Sequence, residues 1–121
     1  MGQTTRAFAA LALVLSGCLG SQAPQPGAPP STKAGIEARA LIADGARLLD
    51  VRTSGEFGAG HIEGAWNIPV DRLESHVAEL EPKDRPIVVY CHSGARSAGA
   101  AQMLRRAGFS KVFDLGAIRN W

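Results

Sequence analysis

The sequence predicts a single small α/β domain standing behind a non-globular N-terminal segment. Three observations carry that reading. A chain of 121 residues admits one domain at most. From about residue 34 onward, short apolar runs alternate with stretches of helical periodicity, the pattern of an α/β fold. Between Ala7 and Thr32 there is no charged side chain at all, and Pro and Gly crowd the second half of that stretch.

Composition narrows the function classes. Thirteen Lys and Arg face 11 Asp and Glu, a formal charge of +2, too balanced for nucleic-acid binding by bulk charge. Aromatic residues make up 6%, which argues against a base-stacking surface. The two cysteines, Cys18 and Cys91, cannot build a disulfide framework or a four-ligand zinc site. No apolar run approaches the roughly 20 residues that span a bilayer.

Residues 1–17 have the architecture of a secretory signal: Arg6 and the amino terminus, then the apolar run from Ala7 to Leu15, then Ser16-Gly17 before Cys18. Leu15-Ser16-Gly17-Cys18 resembles the lipobox of bacterial lipoproteins. That resemblance implies cleavage before Cys18, lipidation of Cys18 and anchoring of the chain to a membrane by its acyl chains, two or more of which hold stably where one does not. Leu19 follows, where Asp is the family's signal for inner-membrane retention, so the resemblance implies the periplasmic face of the outer membrane. Ordinary cleavage to a soluble periplasmic protein is the alternative. Residues 18–33 form a Pro/Gly-rich tether, GSQAPQPGAPPST over Gly20 to Thr32, with no residues to make a core.

The domain is expected over residues 34–121. Ile36 to Ile42 has helical spacing and Gly45 is a natural stop. Arg47 to Val51 suits a buried parallel strand. Thr53 to Gly64 reads as a glycine-rich loop with a turn at Gly55-Glu56-Phe57. Ala65 to Ile68 is a short strand stopped by Pro69. From Asp71 to Leu80 the chain is amphipathic, with Val70, Leu73, Val77 and Leu80 on one face. Pro86 to Tyr90 is the strongest strand, ending at Cys91. Ala95 to Ala107 is a helix with Ala98, Ala101 and Leu104 inward, closed by Gly108. Val112-Phe113 is a last short strand, and Ile118 to Trp121 at most a helical turn.

The chemistry gathers at Cys91. A hydrophobic strand runs into it, followed by a tight loop and a helix, and ligands of open α/β sheets bind beyond such strand ends. The N–H groups of a curled loop and helix start converge on an anion. With Arg96 they depress a thiol pKa and populate the thiolate. Gly94 lets the backbone curl, and Arg96 offers a planar fork to an oxyanion. If Cys18 is lipidated, Cys91 has no partner for an internal disulfide. An unpaired thiol in an oxidising compartment points to use.

Several ordered motifs resemble the single-domain rhodanese family of thiosulfate sulfurtransferases. They are Leu49-Asp50-Val51-Arg52, Glu56-Phe57, Gly60-His61-Ile62, Gly64-Ala65, Asn67-Ile68-Pro69, Cys91 to Ser97, and Gly116 with Trp121, covering roughly Gly35 to Trp121. The resemblance implies a three-layer domain with a parallel five-stranded sheet and helices on both faces. It implies that Cys91 takes a sulfur atom from a small anionic donor such as thiosulfate and passes it to a thiol or cyanide. The backbone of His92, Ser93, Gly94, Ala95, Arg96 and Ser97 would cradle the persulfide, and Asp50 would hold nearby loops. No cofactor, metal or nucleic acid is implied.

Related phosphatases of this fold carry Cys-x5-Arg. The shorter Cys-x4-Arg spacing from Cys91 to Arg96 favours a single sulfur over a tetrahedral phosphate or arsenate. Arg52 is expected to pair with Glu56 or another acid, His61 to be a hydrogen-bonded structural residue, Trp66 and Trp121 to pack, and Arg105-Arg106 to face solvent. His92 stands where relatives commonly carry arginine. Five basic residues against Asp114 from Cys91 onward favour an anionic donor by steering. A non-catalytic sulfur carrier or adaptor is the competing reading, and a cysteine phosphatase or arsenate reductase-like enzyme a third.

Overall fold

The computed structural model describes residues 32–121. The signal segment, Cys18 and the tether up to residue 31 lie outside the described residues. The chain enters the fold at Thr32, whose Oγ1 accepts the Gly35 N–H at 3.0 Å and caps helix α1 (Lys33–Ala43). The helix thus takes in Lys33, the last residue of the expected tether. The Thr32 hydroxyl also donates to the Asn120 carbonyl, tying the first and last turns together. Gly35 is required here by close approach: a Cβ would stand 2.2 Å from the Asn120 oxygen.

Strands β1 (Arg47–Asp50), β2 (Trp66–Asn67), β3 (Ile87–Cys91) and β4 (Val112–Ala117) form one parallel sheet in the order β2-β1-β3-β4. Between them lie α2 (Ser54–Ala59), α3 (Leu73–His76, flanked by 3₁₀ turns at Val70–Arg72 and Val77–Leu80) and α4 (Ala95–Arg106). Every residue of β1 and β3 is buried, as a parallel strand covered on both faces requires. Alternation divides the core in two. Leu49, Val51, Ile87, Val89 and Cys91 pack with Leu73, Leu80, Ala100, Ala101 and Leu104 from α3, the turn after it, and α4. Leu48, Val88 and Tyr90 pack with Ala38, Ile62 and Leu115 on the α1 side.

Three expectations are corrected. The sheet has four strands among the described residues, not five. Among the described residues no strand stands before α1: Thr32 is its cap and Lys33 and Ala34 lie inside the helix, and β4 is the outer strand of the described sheet on that side. The Thr53–Gly64 loop holds a six-residue helix rather than a single turn. The inward stripe of α4 is Ser97, Ala100, Ala101 and Leu104, with Ala98 exposed. That stripe follows the i, i+3, i+4, i+7 rule; its first member is a serine, which an apolar count passes over.

Candidate active site

Cys91 is the last residue of β3 and its side chain is fully buried. The strand places it at the carboxyl end of the sheet, level with Ala117 of β4. Gly94 caps α4 with φ +102°, a left-handed conformation that L side chains rarely adopt. This reverses the chain so that the Gly94 N–H points back and donates to Cys91 Sγ at 2.9 Å. Burial pushes the thiol pKa up. The N–H and hydroxyl of Ser97 and the N–H groups of Gly94 and Ser93 outweigh it, and the thiol ends below its ordinary value of 9.0. The single hydroxyl proton of Ser97 serves either Sγ or the Gly94 carbonyl, which it reaches at 3.0 Å.

Arg96 sits in the first turn of α4, but its fork is occupied. Both terminal nitrogens donate to Glu56 of α2, at 3.1 and 2.9 Å, a bidentate pair about one-third exposed. Hydrogen bonds from Arg96 hold the Glu56 carboxyl below the usual range, and the carboxylate in turn raises the guanidinium pKa. Thr53-Ser54-Gly55-Glu56 has the spacing of a capping box, and Thr53 Oγ1 accepts the Glu56 N–H at 3.2 Å. The carboxylate is turned to the loop arginine, so α2 braces the Cys91 loop.

Arg52 pairs with Asp50, not Glu56. Its Nη2 donates to Asp50 Oδ2 at 2.7 Å and to the Gly60 carbonyl at 2.7 Å, while Nε reaches both carboxylate oxygens. Both residues are buried, and the Asp50 hydrogen bonds raise the arginine pKa. Asn67 Nδ2 donates to the Asp50 and Arg52 carbonyls, and the Tyr90 hydroxyl accepts the Ile62 N–H. Asp50 and Arg52 therefore lock the loop after β1 and have no hydrogen bond to residues 92–97, where Arg52 is felt only as a like charge by Arg96. His92, Ser93 and Ala95 are exposed at the mouth. His61 is stacked 3.6 Å over Phe57, with Nδ1 donating to the Phe57 carbonyl. Trp121 packs half-buried under Arg39, whereas Trp66 is exposed and covered on one face by Arg47. Arg105 and Arg106 are exposed, as expected. Glu56 as the partner of Arg96 is the residue that sequence reasoning missed; the capping-box spacing would turn its carboxylate back to Thr53, and no local pattern pairs it with the arginine. Among the described residues no group of three or more His, Cys, Asp or Glu could hold a metal ion.

A parallel sheet whose third strand ends in a cysteine cradled by loop N–H groups defines a class. Residues 36–121 match the Rhodanese-like domain, and the chain belongs to that family. It is 39% identical over 101 residues to the human thiosulfate:glutathione sulfurtransferase, covering 70% of this chain and 87% of that protein. It is 37% identical over 76 residues to the thiosulfate sulfurtransferase GlpE of Shewanella oneidensis, covering 62% and 74%. An uncharacterised Bacillus subtilis protein, YqhL, is 42% identical over 77 residues, and there the match spans 60% of the relative's length. Among solved structures, a human single-domain sulfurtransferase superposes with a TM-score of 0.63 at 36% identity, covering 71% of this chain and 89% of that one. An Escherichia coli rhodanese with bound anions gives 0.60 at 28% identity, covering 63% and 91%.

Proposed function

We propose that the protein is a sulfurtransferase that moves one sulfane sulfur through a persulfide on Cys91. The observation that carries this reading is the Gly94 N–H aimed at Cys91 Sγ within a loop whose other N–H groups also lower the thiol pKa. The Cys91 thiolate attacks the outer sulfur of thiosulfate. The sulfur–sulfur bond breaks, sulfite leaves with the electron pair, and the enzyme keeps an anionic persulfide. The loop N–H groups then hold that charge on the outer sulfur. In the second half-reaction cyanide or a thiolate attacks the outer sulfur and the Cys91 thiolate is restored. No proton, metal or redox partner enters either step. The donor and acceptor follow the names of the relatives, which include thiosulfate and glutathione.

The occupied fork of Arg96 supports sulfur transfer over phosphoester or arsenate chemistry. In phosphoryl or arsenate chemistry the tetrahedral group stays in the loop and its oxygens call for a free guanidinium, which here is filled by a carboxylate; in sulfur transfer the oxygens leave with sulfite and the loop keeps one anionic sulfur, which N–H groups can hold. A carrier without turnover has less support, because a pre-formed anion cradle serves a thiolate that reacts.

The test is intact mass of the purified protein before and after thiosulfate, then after cyanide. One added sulfur, lost to cyanide as thiocyanate and absent in Cys91→Ser, is the expected result. A reduced, folded protein that gains no sulfur overturns the reading for this donor.

We further propose that the domain works at the periplasmic face of the outer membrane, held by acyl chains on Cys18. The reading rests on the signal-like residues 1–17 and the lipobox-like Leu15 to Cys18. Mass analysis of the mature N-terminal peptide tests it: an acylated Cys18 is expected, and an unmodified cysteine or cleavage elsewhere overturns it.

A further inference from the structure

A polar groove of about 400 Å³ lies at the carboxyl end of β2, lined by Thr53, Ser54, Asn67, Pro69, Asp71 and Arg72. The mechanism above leaves it unused. Its position relates it to Cys91. Asn67 is paired with Asp50 on β1, and Asp50 with Tyr90 on β3, the residue before Cys91. Asn67, on the wall of the groove, thus stands two strand spacings, about 10 Å, from the strand that ends in the thiol. The first turn of α2 is shared: Thr53 and Ser54 line the groove, and Glu56 in the same turn holds Arg96 beside the sulfur cradle.

The groups lining it are of both signs. Arg72 is exposed, with no ion-pair partner among the described residues, and Ser54 has a hydroxyl with no bonding partner there. Thr53 Oγ1 accepts the Glu56 N–H and keeps its own proton to donate. These are donors for a carboxylate. The Asn67 amide is fixed by its two N–H bonds to the Asp50 and Arg52 carbonyls, which leaves Oδ1 as an acceptor, and Asp71 adds a carboxylate. These are acceptors for an ammonium group. A plain anion would meet Asp71 and a plain cation Arg72, so the groove fits a molecule carrying both charges.

We propose that this groove is the acceptor subsite, and that it takes the γ-glutamyl end of a short cysteinyl peptide, where ammonium and carboxylate share one carbon, while the peptide thiol reaches the Cys91 persulfide. The inference rests on the sulfurtransferase reading and adds the place on this chain where the acceptor is held and the residues that hold it. From the γ-glutamyl α-carbon to the sulfur of the adjoining cysteine run seven bonds, about 8–9 Å when extended, which is close to the width of two strand spacings. The chemistry balances without an oxidant: the peptide thiolate attacks the outer sulfur, the persulfide bond breaks, the peptide leaves as its own persulfide, and Cys91 returns as thiolate.

The test uses the full chain, purified in detergent and loaded with thiosulfate, with sulfur discharge timed separately for glutathione and for cyanide. Arg72→Ala is expected to lower the ratio of the glutathione rate to the cyanide rate about fivefold to tenfold through KM, and Arg72→Lys to restore part of it. Glutathione acetylated on its amino group should show a lowered ratio in the wild type, and Asp71→Asn should erase that difference. Ratios that stay at the wild-type value in Arg72→Ala overturn the proposal, and so does a loss shared equally by both acceptors. A wild-type protein that takes no sulfur overturns the underlying reading, and a protein that loads and discharges to cyanide but ignores glutathione overturns the subsite alone.

Discussion

Two arginine–carboxylate pairs flank the carboxyl end of the sheet, and their chemistry is alike. Arg52–Asp50 is almost wholly buried, with the arginine anchored a second time on the Gly60 carbonyl. Arg96–Glu56 is partly exposed and joins α2 to the Cys91 loop across forty residues of sequence. A buried pair cannot open without leaving a charge in a dry interior, so it fixes structure. An exposed pair exchanges with water at small cost, so it braces without locking. The family motifs Asp50-Val51-Arg52 and Cys91 to Ser97 carry one member or both of each pair, and burial decides which is framework and which is trimmed to the chemistry.

The largest expected effect comes from breaking the buried pair. Asp50→Ala leaves the Arg52 guanidinium buried and unpaired, and such changes cost about 3–5 kcal/mol. Urea denaturation should show that loss, with sulfur loading surviving in whatever fraction remains folded. A variant as stable as the wild type would mean that Arg52 swings out to water, and the contrast between the pairs would fail.

Next is Ser97, which is buried behind the loop and serves the thiol rather than either pair. Ser97→Ala removes a hydrogen bond to a charged group, worth about 1.5–3 kcal/mol. The Cys91 pKa rises toward its ordinary value. Below the thiol pKa the nucleophile is protonated, so the acid limb of the loading rate moves to higher pH. Loading near neutral pH falls roughly tenfold or more and is recovered in alkaline buffer. A pH–rate profile from single-turnover loading checks this. A uniform loss at every pH would assign Ser97 a packing role only.

Breaking the exposed pair with Glu56→Gln should change stability far less than Asp50→Ala. The Glu56 carboxyl is held below its ordinary value of 4.5 in the folded protein. Its contribution is therefore complete above that ordinary value and fades as pH falls through the lower folded value. Wild type and Glu56→Gln should differ most at neutral pH and converge in acid. Denaturation midpoints measured from pH 3 to 7 test this, and a constant difference across that range would show that the charge of Glu56 is not what Arg96 senses.

The uneven legibility of the chain has the same physical root. β1, β3 and α4 were readable because a run such as Ile87-Val88-Val89-Tyr90 or the spacing to Leu104 carries its burial in its own periodicity. The Cys91 loop was readable because glycine and arginine sit at short, fixed offsets from the cysteine. Partner choice was not. Arg52 stands four residues from Glu56 yet bonds Asp50, while Glu56 bonds an arginine forty residues away. That selection depends on where the loop after β1 is pinned, by Gly60, Asn67 and the Tyr90 hydroxyl, and no local pattern encodes it. β4 ran past its apolar pair Val112-Phe113 because pairing with β3 carries it through a register shift to Ala117, where Gly116 takes φ +80°.

Arg47 extends the comparison to an arginine that pairs with no carboxylate among the described residues, and it carries the smallest expected effect. It is buried in β1, with Nη1 donating to the Glu79 carbonyl at 3.0 Å and Nε left without a partner. Burial, and then repulsion from Arg85, lowers its pKa, so the cation is held less comfortably than in either pair. What covers it is the ring of Trp66, 4.0 Å from the guanidinium carbon. Trp66 is itself nearly half exposed, so its removal opens little core. The cation–π contact is the main loss, about 0.5–1 kcal/mol for an exposed site. Trp66→Phe should keep most of it and Trp66→Ala lose it, with sulfur loading at Cys91 the same in both. A Trp66→Ala loss of the size expected for Asp50→Ala would mean that the ring replaces a carboxylate in full, and that burial rather than pairing sets the cost at this end of the sheet.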